Sequence, residues 1–390
     1  MREYLLVVLV ALATTYLCVP AMRAIAVRTG AYTPVRSRDV HTVPIPRLGG
    51  VAILMGYAAA TLLAWRLPFL SQVFETRELV GVLAAGAVVC LVGAIDDVRD
   101  LDPATKMGGQ LLAAGIMAFS GVQFFSLPLG VVTVLPAPVL VILTIFVVVL
   151  ATNAVNFIDG LDGLAAGTVA IAAGSFFVYS YLISASYNPP NVFSSATFIS
   201  AAMLGCCLGF LPHNFFPARL FMGDSGALLL GLLLAAATIS TTGAVNPSQV
   251  SDNPVAATIL PLLVPIAIML LPLLDVLFAV VRRTARGQSP FHPDAQHLHH
   301  RMLRIGHGHR RAVLLLWWWA SPCSPSPSSS PRGSRASPAP ATARRPSTAT
   351  AAASTPDRPW LVEVRASASL ETLVAGRGAT KEPRDHKPLV

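Results

Sequence analysis

The stretch Asn153-Ala-Val-Asn-Phe-Ile-Asp159-Gly-Leu-Asp162-Gly-Leu164 places polar side chains between two apolar runs that are each long enough to cross a membrane. An apolar run of about 18 residues or more can span a bilayer, and a carboxylate at its edge is costly unless it serves a cavity, an ion or a substrate. Asp159 and Asp162 are therefore candidate functional residues. The alternative for this stretch alone is a polar turn that only connects two membrane helices.

The spacing within this stretch argues against one continuous helix. Asn153, Asn156, Asp159 and Asp162 recur every third residue, so each would be rotated by about 60° from the last and only neighbours would share a helix face. A glycine follows each of the two aspartates, which further disfavours a helix. We predict a helix end that opens into a tight turn, where the backbone can approach a ligand closely.

The composition indicates a polytopic membrane protein. Of the 390 residues, 54% are hydrophobic and only 12% are charged, whereas soluble domains carry about 25% charged residues. The net charge is +9, but the basic residues are confined to short loops and a tail, which favours membrane orientation over nucleic-acid binding. Five cysteines show no CxxC spacing and four lie in apolar runs, so the sequence predicts neither disulfides nor a zinc site.

Nine windows of about 17 to 25 mainly apolar residues predict an all-α integral membrane protein with about nine to ten transmembrane helices. The ninth window contains Pro261, Pro265 and Pro272, which remove helix hydrogen bonds, so we expect it to be kinked or broken. The windows are 4–22, 48–66, 79–95, 107–125, 134–155, 163–185, 195–212, 226–243 and 255–281.

The distribution of lysine and arginine among the loops predicts the orientation of the chain in the membrane. Up to residue 311, the odd-numbered loops hold fifteen of these residues, whereas the N-terminus and the even-numbered loops hold three. Because the cytoplasmic side retains positive charge, we predict an N-terminus outside and the odd-numbered loops in the cytoplasm. The polar motifs all fall in those loops, which predicts an active site at the cytoplasmic face. They are HTVPIPRLGG (41–50), DDVRD (96–100), the central stretch, HNFFPARLFMGDSG (213–226) and HPDAQHLHH (292–300).

The chain changes character near its C-terminus. An apolar run that begins at Val313 stops at Pro322, and nine of the 39 residues from Ser321 to Pro359 are proline. Such a composition cannot bury a core, so we divide the chain into a membrane domain, 1–312, and an aberrant tail, 313–390, expected to be disordered. A tenth span would need about 20 apolar residues, so the run from Val313 to Pro322 is too short to cross the membrane. Without a span after it, we expect the histidine-rich segment before the tail to be held at one end only.

The acidic residues at the predicted cytoplasmic face suit a hard divalent cation. Mg²⁺ takes oxygen ligands and usually keeps waters or substrate phosphates in its shell. Histidine and arginine in neighbouring loops suit phosphate, which arginine can bind through two hydrogen bonds. Together they predict a site for a pyrophosphate bound through Mg²⁺, or through Mn²⁺ in its place. The acids are Asp96, Asp97, Asp159, Asp162 and Asp224.

Two of the acidic motifs also have simpler interpretations. Asp96 and Asp97 could end a helix with a salt bridge to Arg99. Asp224 or Ser225 could cap the helix that follows. All five motifs would have to collect on one face by accident for every simple interpretation to hold, so we favour a shared site.

The histidines have alternatives of their own. His297, His299 and His300 could bind zinc, although no cysteine lies near them, or could form a surface cluster without function. His41, close to Pro44 and Pro46, could belong to a loop that is only rigid.

Five motifs, in order, resemble the signature loops of the polyprenyl-phosphate N-acetylhexosamine-1-phosphate transferases, of the glycosyltransferase family 4 type. The resemblance covers residues 1–312. The His-x-His-His-Arg order resembles the branch that uses UDP-GlcNAc more than the phospho-MurNAc-pentapeptide branch, whose loop usually has three consecutive histidines before an acidic position. The motifs are HTVPIPRLGG (41–50), AIDDVRDLD (94–102), NAVNFIDGLDGLAAG (153–167), LFMGDSGALLLG (220–231) and QHLHHRML (296–303).

The resemblance implies a reaction at the membrane. A polyprenyl phosphate, undecaprenyl or decaprenyl, attacks the phosphate that carries the sugar of UDP-GlcNAc, which releases UMP and leaves polyprenyl-diphosphate-GlcNAc for cell-envelope polysaccharide synthesis. Catalysis would rest on positioning and on charge neutralisation with Mg²⁺. The implied partners are the UDP-sugar, the lipid phosphate and the bilayer, with a homodimer as a further candidate and no nucleic acid.

The resemblance also implies roles for individual residues. Asp224 matches the metal-binding aspartate, with Asn156 as a second metal ligand. Asp96 and Asp97 match paired catalytic carboxylates that bind or deprotonate the lipid phosphate, and the assignment within the pair stays open. The nucleotide and sugar side comprises Asn156, Asp159, Gly160, Leu161, Asp162, Asn214, Phe221, His297, His299, His300 and Arg301, and the lipid-phosphate side adds His41 and Arg47.

A transporter of an anionic metabolite is the competing hypothesis, because it would also place acids and broken helices in a membrane. A transporter should carry ionisable groups near the middle of the membrane, accessible from both sides. This chain instead concentrates them at one predicted face. The sequence therefore favours an enzyme.

Overall fold

Nine helices form nearly all of the regular structure that is described in this computed structural model. The described residues are 1–33, 44–74, 76–124, 127–128, 132–133, 135–186, 194–244, 281, 284–285, 287 and 308–320. The helices are α1 (Arg2–Thr29), α2 (Gly49–Arg66), α3 (Glu78–Arg99), α4 (Pro103–Phe119), α5 (Ala137–Ile158), α6 (Leu164–Ser186), α7 (Ser195–Asn214), α8 (Gly223–Ala244) and α9 (His309–Ala320).

Helices α1 to α8 coincide with the first eight predicted windows, while nearly all of the ninth window lies outside the described residues. Seven of the described helices, α1 to α3 and α5 to α8, are long and apolar enough to cross a membrane, and α4 is shorter at 17 residues. This confirms a polytopic helical membrane protein. The total of nine to ten spans and the orientation of the N-terminus stay predictions.

Two features of the fold were not predicted. Helix α1 continues for 28 residues to Thr29, where Gly30 in the left-handed conformation ends it and donates its N–H to the carbonyl of Ala26. A short antiparallel strand pair also forms between α4 and α5, with β1 at Leu127–Pro128 and β2 at Val132–Thr133.

Helix α8 is the centre of the bundle. Of its membrane-spanning window, 94% is buried within the protein, against 28% for α1. The helix packs against α2, α3, α5, α6 and α7, so apolar residues occur around its whole circumference rather than on one face. The position of its N-terminus therefore determines where the polar motif LFMGDSG meets the other helices.

Glycines allow two helices to approach the N-terminus of α8 closely. A Cβ atom at Gly50 of α2 would overlap the backbone of Gly226, and one at Gly93 of α3 would lie 2.5 Å from the backbone of Ser225. The first turn of α2 also hydrogen-bonds to this region, because the N–H of Gly50 donates to the carbonyl of Met222 at 3.0 Å. Two separate helices, α2 and α3, thus contact the start of α8.

Replacing Gly50 with alanine is expected to destabilise the protein by about 1–3 kcal/mol, because the added methyl group has no space beside the backbone of α8. Gly108→Ala in α4 is the matched control, since no atom lies within 4 Å of a Cβ there and alanine gains up to about 1 kcal/mol in a helix. The midpoints of thermal unfolding in detergent measure both. Equal midpoints for the two variants would contradict the close approach.

Candidate active site

The predicted motifs that the structure describes lie together at one end of the bundle. The N–H of Phe221 donates to the carbonyl of Pro46 at 2.9 Å, which joins the segment before α2 to the segment before α8. The N–H of Ala218 donates to the carboxylate of Asp162 at 2.9 Å, which joins the α7–α8 connection to the turn between α5 and α6. One end of the bundle therefore gathers motifs that are far apart in the chain.

Asp97, at the end of α3, caps α8. Its carboxylate accepts the backbone N–H of Asp224 at 2.9 Å, the N–H of Ser225 at 3.2 Å and the Ser225 hydroxyl at 2.8 Å. These N–H groups have no partner within the helix, because they belong to its first turn. The alternative that Asp224 or Ser225 caps α8 is therefore wrong: both lie in the first turn, and the cap comes from another helix.

Lys106 is an ionic link between two carboxylates. Its ammonium nitrogen lies 2.6 Å from Asp96 Oδ2 and 3.0 Å from Asp224 Oδ2. Asp96 also accepts the N–H of Leu101 at 2.7 Å. The salt bridge considered between the aspartate pair and Arg99 is replaced by this link to Lys106. In the sequence analysis Lys106 entered only the count of charge, although a lysine in the first turn of α4, soon after the aspartate pair, was a signal of an ion pair.

Asp159 lies in the turn directly after α5 and is half-buried. Burial and the neighbouring carboxylates of Asp224 and Asp97 together raise the pKa of Asp159 to about 7, while the Arg47 guanidinium opposes this rise. Arg47 is held in place by a hydrogen bond of 2.7 Å from its Nε to the hydroxyl of Thr33. Negative charge therefore accumulates where α3, the α5–α6 turn and α8 meet.

The turn between α5 and α6 is tied to the connection between α7 and α8. The side-chain oxygen of Asn214 accepts the N–H of Gly163 at 3.0 Å, and its amide nitrogen donates to the carbonyl of Leu220 at 3.1 Å. Gly163 has a φ of 76°, as expected for the predicted glycine turn. Asn214 and Asp162 are 2% and 3% exposed, so both hold the two segments together from inside the protein.

The remaining candidates differ in their surroundings. Leu161 is buried in the apolar core, Gly160 is exposed, and Asn156 and Phe221 are half-buried. Asn153, which the spacing had grouped with them, donates instead to Gln110 of α4 at 2.6 Å. Five candidates lie outside the described residues, so the structure does not test them: His41, His297, His299, His300 and Arg301.

Among the described residues, no three His, Cys, Asp or Glu side chains are arranged to hold a metal ion. The groups present are oxygen donors, the carboxylates of Asp96 and Asp224 with the amide of Asn156 one turn before the α5–α6 turn. All-oxygen donors suit Mg²⁺, which commonly takes only one or two carboxylates and completes its shell with water or phosphate. The donor chemistry therefore fits Mg²⁺.

Comparison with known proteins shows the family to which these motifs belong. Residues 79–242, from α3 to α8, match the family model of glycosyl transferase family 4. Over 324 residues the chain is 44% identical to a decaprenyl-phosphate N-acetylglucosaminephosphotransferase of Mycolicibacterium smegmatis. The aligned region covers 82% of this chain and 80% of the relative. The chain belongs to glycosyl transferase family 4. The resemblance noted in the five motifs is thereby confirmed.

Two further relatives of this glycosyl transferase extend the comparison. A decaprenyl-phosphate N-acetylglucosaminephosphotransferase of Mycobacterium leprae is 43% identical over 324 residues, covering 82% of this chain and 81% of the relative. A probable undecaprenyl-phosphate N-acetylglucosaminyl 1-phosphate transferase of Bacillus subtilis is 30% identical over 311 residues, covering 79% and 80%. All three relatives carry names that specify a polyprenyl phosphate and N-acetylglucosamine.

Proposed function

We propose that this glycosyl transferase transfers N-acetylglucosamine 1-phosphate from UDP-GlcNAc to a polyprenyl phosphate, releasing UMP and forming polyprenyl-diphosphate-GlcNAc. The observation that carries the proposal is the link of Asp96, Lys106 and Asp224 at the N-terminus of α8. Phosphoryl transfer depends on positioned charge rather than on covalent chemistry by the protein. The names of the relatives supply the substrates, because they specify polyprenyl-phosphate acceptors.

The charges near α8 suggest a separate catalytic or positioning role for each residue. Asp97 fixes the first turn of α8 and so positions Asp224. The positive end of the α8 dipole and the ammonium of Lys106 would stabilise negative phosphate oxygens. Asp96, which contacts Lys106 directly, is our candidate for contact with the lipid phosphate, and Asp97 acts by positioning.

Mg²⁺ is the cation we propose for this site, with oxygens of Asp224 and Asn156 to hold it. When bound, it would neutralise charge on the diphosphate of the donor. Mn²⁺ has similar ligand preferences and is the alternative. We also propose that the site faces the cytoplasm, because the loops of this end carry the excess of lysine and arginine.

The nucleotide would bind beside the turn after α5. That turn and the segment around Phe221 are held together by Asn214 and Asp162, which gives a ligand a fixed surface to bind. A homodimer, which the family resemblance also implied, is a separate proposal that cross-linking in membranes would test.

Arg301→Ala and His299→Ala are expected to raise the KM for UDP-GlcNAc more than the KM for polyprenyl phosphate, because the family resemblance assigns their loop to the sugar and phosphates. Loss of a charged hydrogen bond of this kind corresponds to about tenfold or more in KM. Steady-state UMP release with each substrate varied in turn measures the effect. Arg28→Ala, at the exposed end of α1, controls for loss of a basic residue. A rise confined to the lipid KM would show that the loop is misassigned.

Purified protein should form UMP from UDP-GlcNAc only when a polyprenyl phosphate and Mg²⁺ are both present. UMP formed without the lipid, or no UMP at all, would contradict the proposal. Replacing UDP-GlcNAc with UDP-MurNAc-pentapeptide tests the other branch of the family, and activity with that donor alone would reassign the enzyme. Transport is disfavoured because the described acidic cluster lies at one end of the helices rather than midway along them.

A further inference from the structure

Helix α9 lies where the sequence predicted only a failed apolar run. It extends from His309 to Ala320, and at about 1.5 Å per residue its length is about 18 Å, too short to cross a bilayer core of about 30 Å. It nevertheless packs against α6. The expectation that the histidine-rich segment is held at one end only is therefore wrong, because the chain that follows it is fixed to the bundle.

Trp317 contacts α6 directly. Its indole N–H donates to the carbonyl of Leu164 at 3.3 Å, and its ring lies 5.7 Å from that of Phe215, centroid to centroid. A Cβ atom at Gly167 would overlap the indole ring, so the absence of a side chain there makes room for the tryptophan. Leu164 is the first residue of α6. Trp317 therefore contacts the helix immediately after the α5–α6 turn.

The first residues of α9 contact the same two segments. The imidazole of His309 is stacked on the ring of Phe216 at 4.5 Å, and its Nε2 lies 4.0 Å from the carboxylate of Asp162. The guanidinium of Arg310 donates from Nε to the carbonyl of Phe216 at 3.2 Å. Asp162 is the residue that joins the α5–α6 turn to Ala218. Both ends of α9 thus contact the segments that Asp162 holds together.

We propose that α9 positions the donor-binding side of the active site, with Trp317 and His309 as positioning residues for the α5–α6 turn and for residues 215–218. The inference rests on the proposed function of those two segments in nucleotide binding. Contacts at the two ends of a rigid helix fix its direction, so α9 can hold both segments in place. Donor binding, rather than lipid binding, should depend on it.

Trp317→Ala tests the proposal against its neighbour Trp318→Ala. Trp318 is 54% exposed, so its loss should leave the kinetics unchanged. Misplacement of binding groups by about 1 Å can cost about a hundredfold. We expect Trp317→Ala to raise the KM for UDP-GlcNAc about tenfold or more, and the KM for polyprenyl phosphate less than about twofold. Equal effects on both substrates, or wild-type kinetics, would overturn the proposal.

Gly167→Ala should produce the same kinetic change from the opposite side of the contact, because its methyl group displaces the indole ring. Gly174→Ala, on the same helix, has its nearest atom at 4.0 Å and serves as the control. Adding Trp317→Phe to Gly167→Ala should restore part of the donor KM, since the smaller ring leaves room for the methyl group. If Gly167→Ala and Trp317→Phe changed the donor KM in a strictly additive way, their contact would not be the source of the raised KM, and the proposal would be overturned.

Hydrogen exchange separates failure of this inference from failure of the proposed function. The N–H of Ala218 is bonded to Asp162 and the N–H of Gly163 to Asn214. Trp317→Ala should speed exchange at both amides by about tenfold or more, whereas Trp318→Ala should not. Unchanged exchange in Trp317→Ala would overturn the positioning role. A wild-type protein that releases no UMP fails the proposed function, and the exchange result decides the role of α9 independently.

Discussion

Replacing Asp224 with asparagine should abolish UMP release while the protein still inserts and folds. The carboxylate of Asp224 lies 3.0 Å from the Lys106 ammonium, whereas the bond that holds the first turn of α8 uses the backbone N–H of Asp224. The substitution therefore removes charge without removing the cap from Asp97. Loss of the carboxylate that we propose to hold Mg²⁺ should reduce the rate about a thousandfold or more, equivalent to about 4 kcal/mol.

Asp102→Asn provides the matched control for Asp224. Asp102 caps α4 by accepting the N–H of Thr105 at 3.0 Å, and its side chain is exposed. Asparagine is as good a cap as aspartate, so this variant should keep its activity and its unfolding midpoint. The two variants lose the same charge within one end of the bundle. Activity of Asp224→Asn within about tenfold of wild type would exclude the proposed metal and charge role.

Asp97→Asn should reduce both stability and activity. Aspartate at this position accepts three hydrogen bonds from Asp224 and Ser225, and the side chain is 5% exposed. An asparagine amide has only one acceptor oxygen, so its NH₂ group would face a backbone N–H. Hydrogen bonds to a charged acceptor contribute about 1.5–3 kcal/mol each. We expect a loss of about 2–4 kcal/mol in the free energy of unfolding, together with loss of UMP release as Asp224 shifts.

Asp96→Asn separates positioning from direct participation. Its asparagine oxygen can still accept the N–H of Leu101, and the lost ion pair is with Lys106, which is 29% exposed. Activity should fall with a smaller change in the unfolding midpoint than for Asp97→Asn. Thermal unfolding in detergent and UMP release on the same preparations give both numbers. If Asp97→Asn kept the wild-type midpoint, its role as the cap of α8 would be refuted.

Local features of the sequence determined the bundle and its polar turn. Eight helices overlap the windows chosen by apolar length, because an apolar run of membrane length has few alternatives to a helix in a bilayer. The turn at residues 159–163 was predicted from its glycines, since the φ of 76° at Gly163 is a property of that residue type. The clustering of the acidic residues at one end was predicted by counting the spans, because this count places all the polar motifs in loops on the same side of the membrane.

Only the tertiary structure decided the partners of those acids. Asp97 caps a helix that begins more than a hundred residues later, Lys106 joins Asp96 to Asp224, and Trp317 contacts Leu164 across 153 positions. No local pattern encodes such pairs, because each depends on how closely the helix backbones approach. That approach is set by where a side chain is missing, at Gly50 beside Gly226 and at Gly167 beneath Trp317. The composition of the sequence determined the helices and the charged end of the bundle, whereas helix packing determined which charged side chains contact each other.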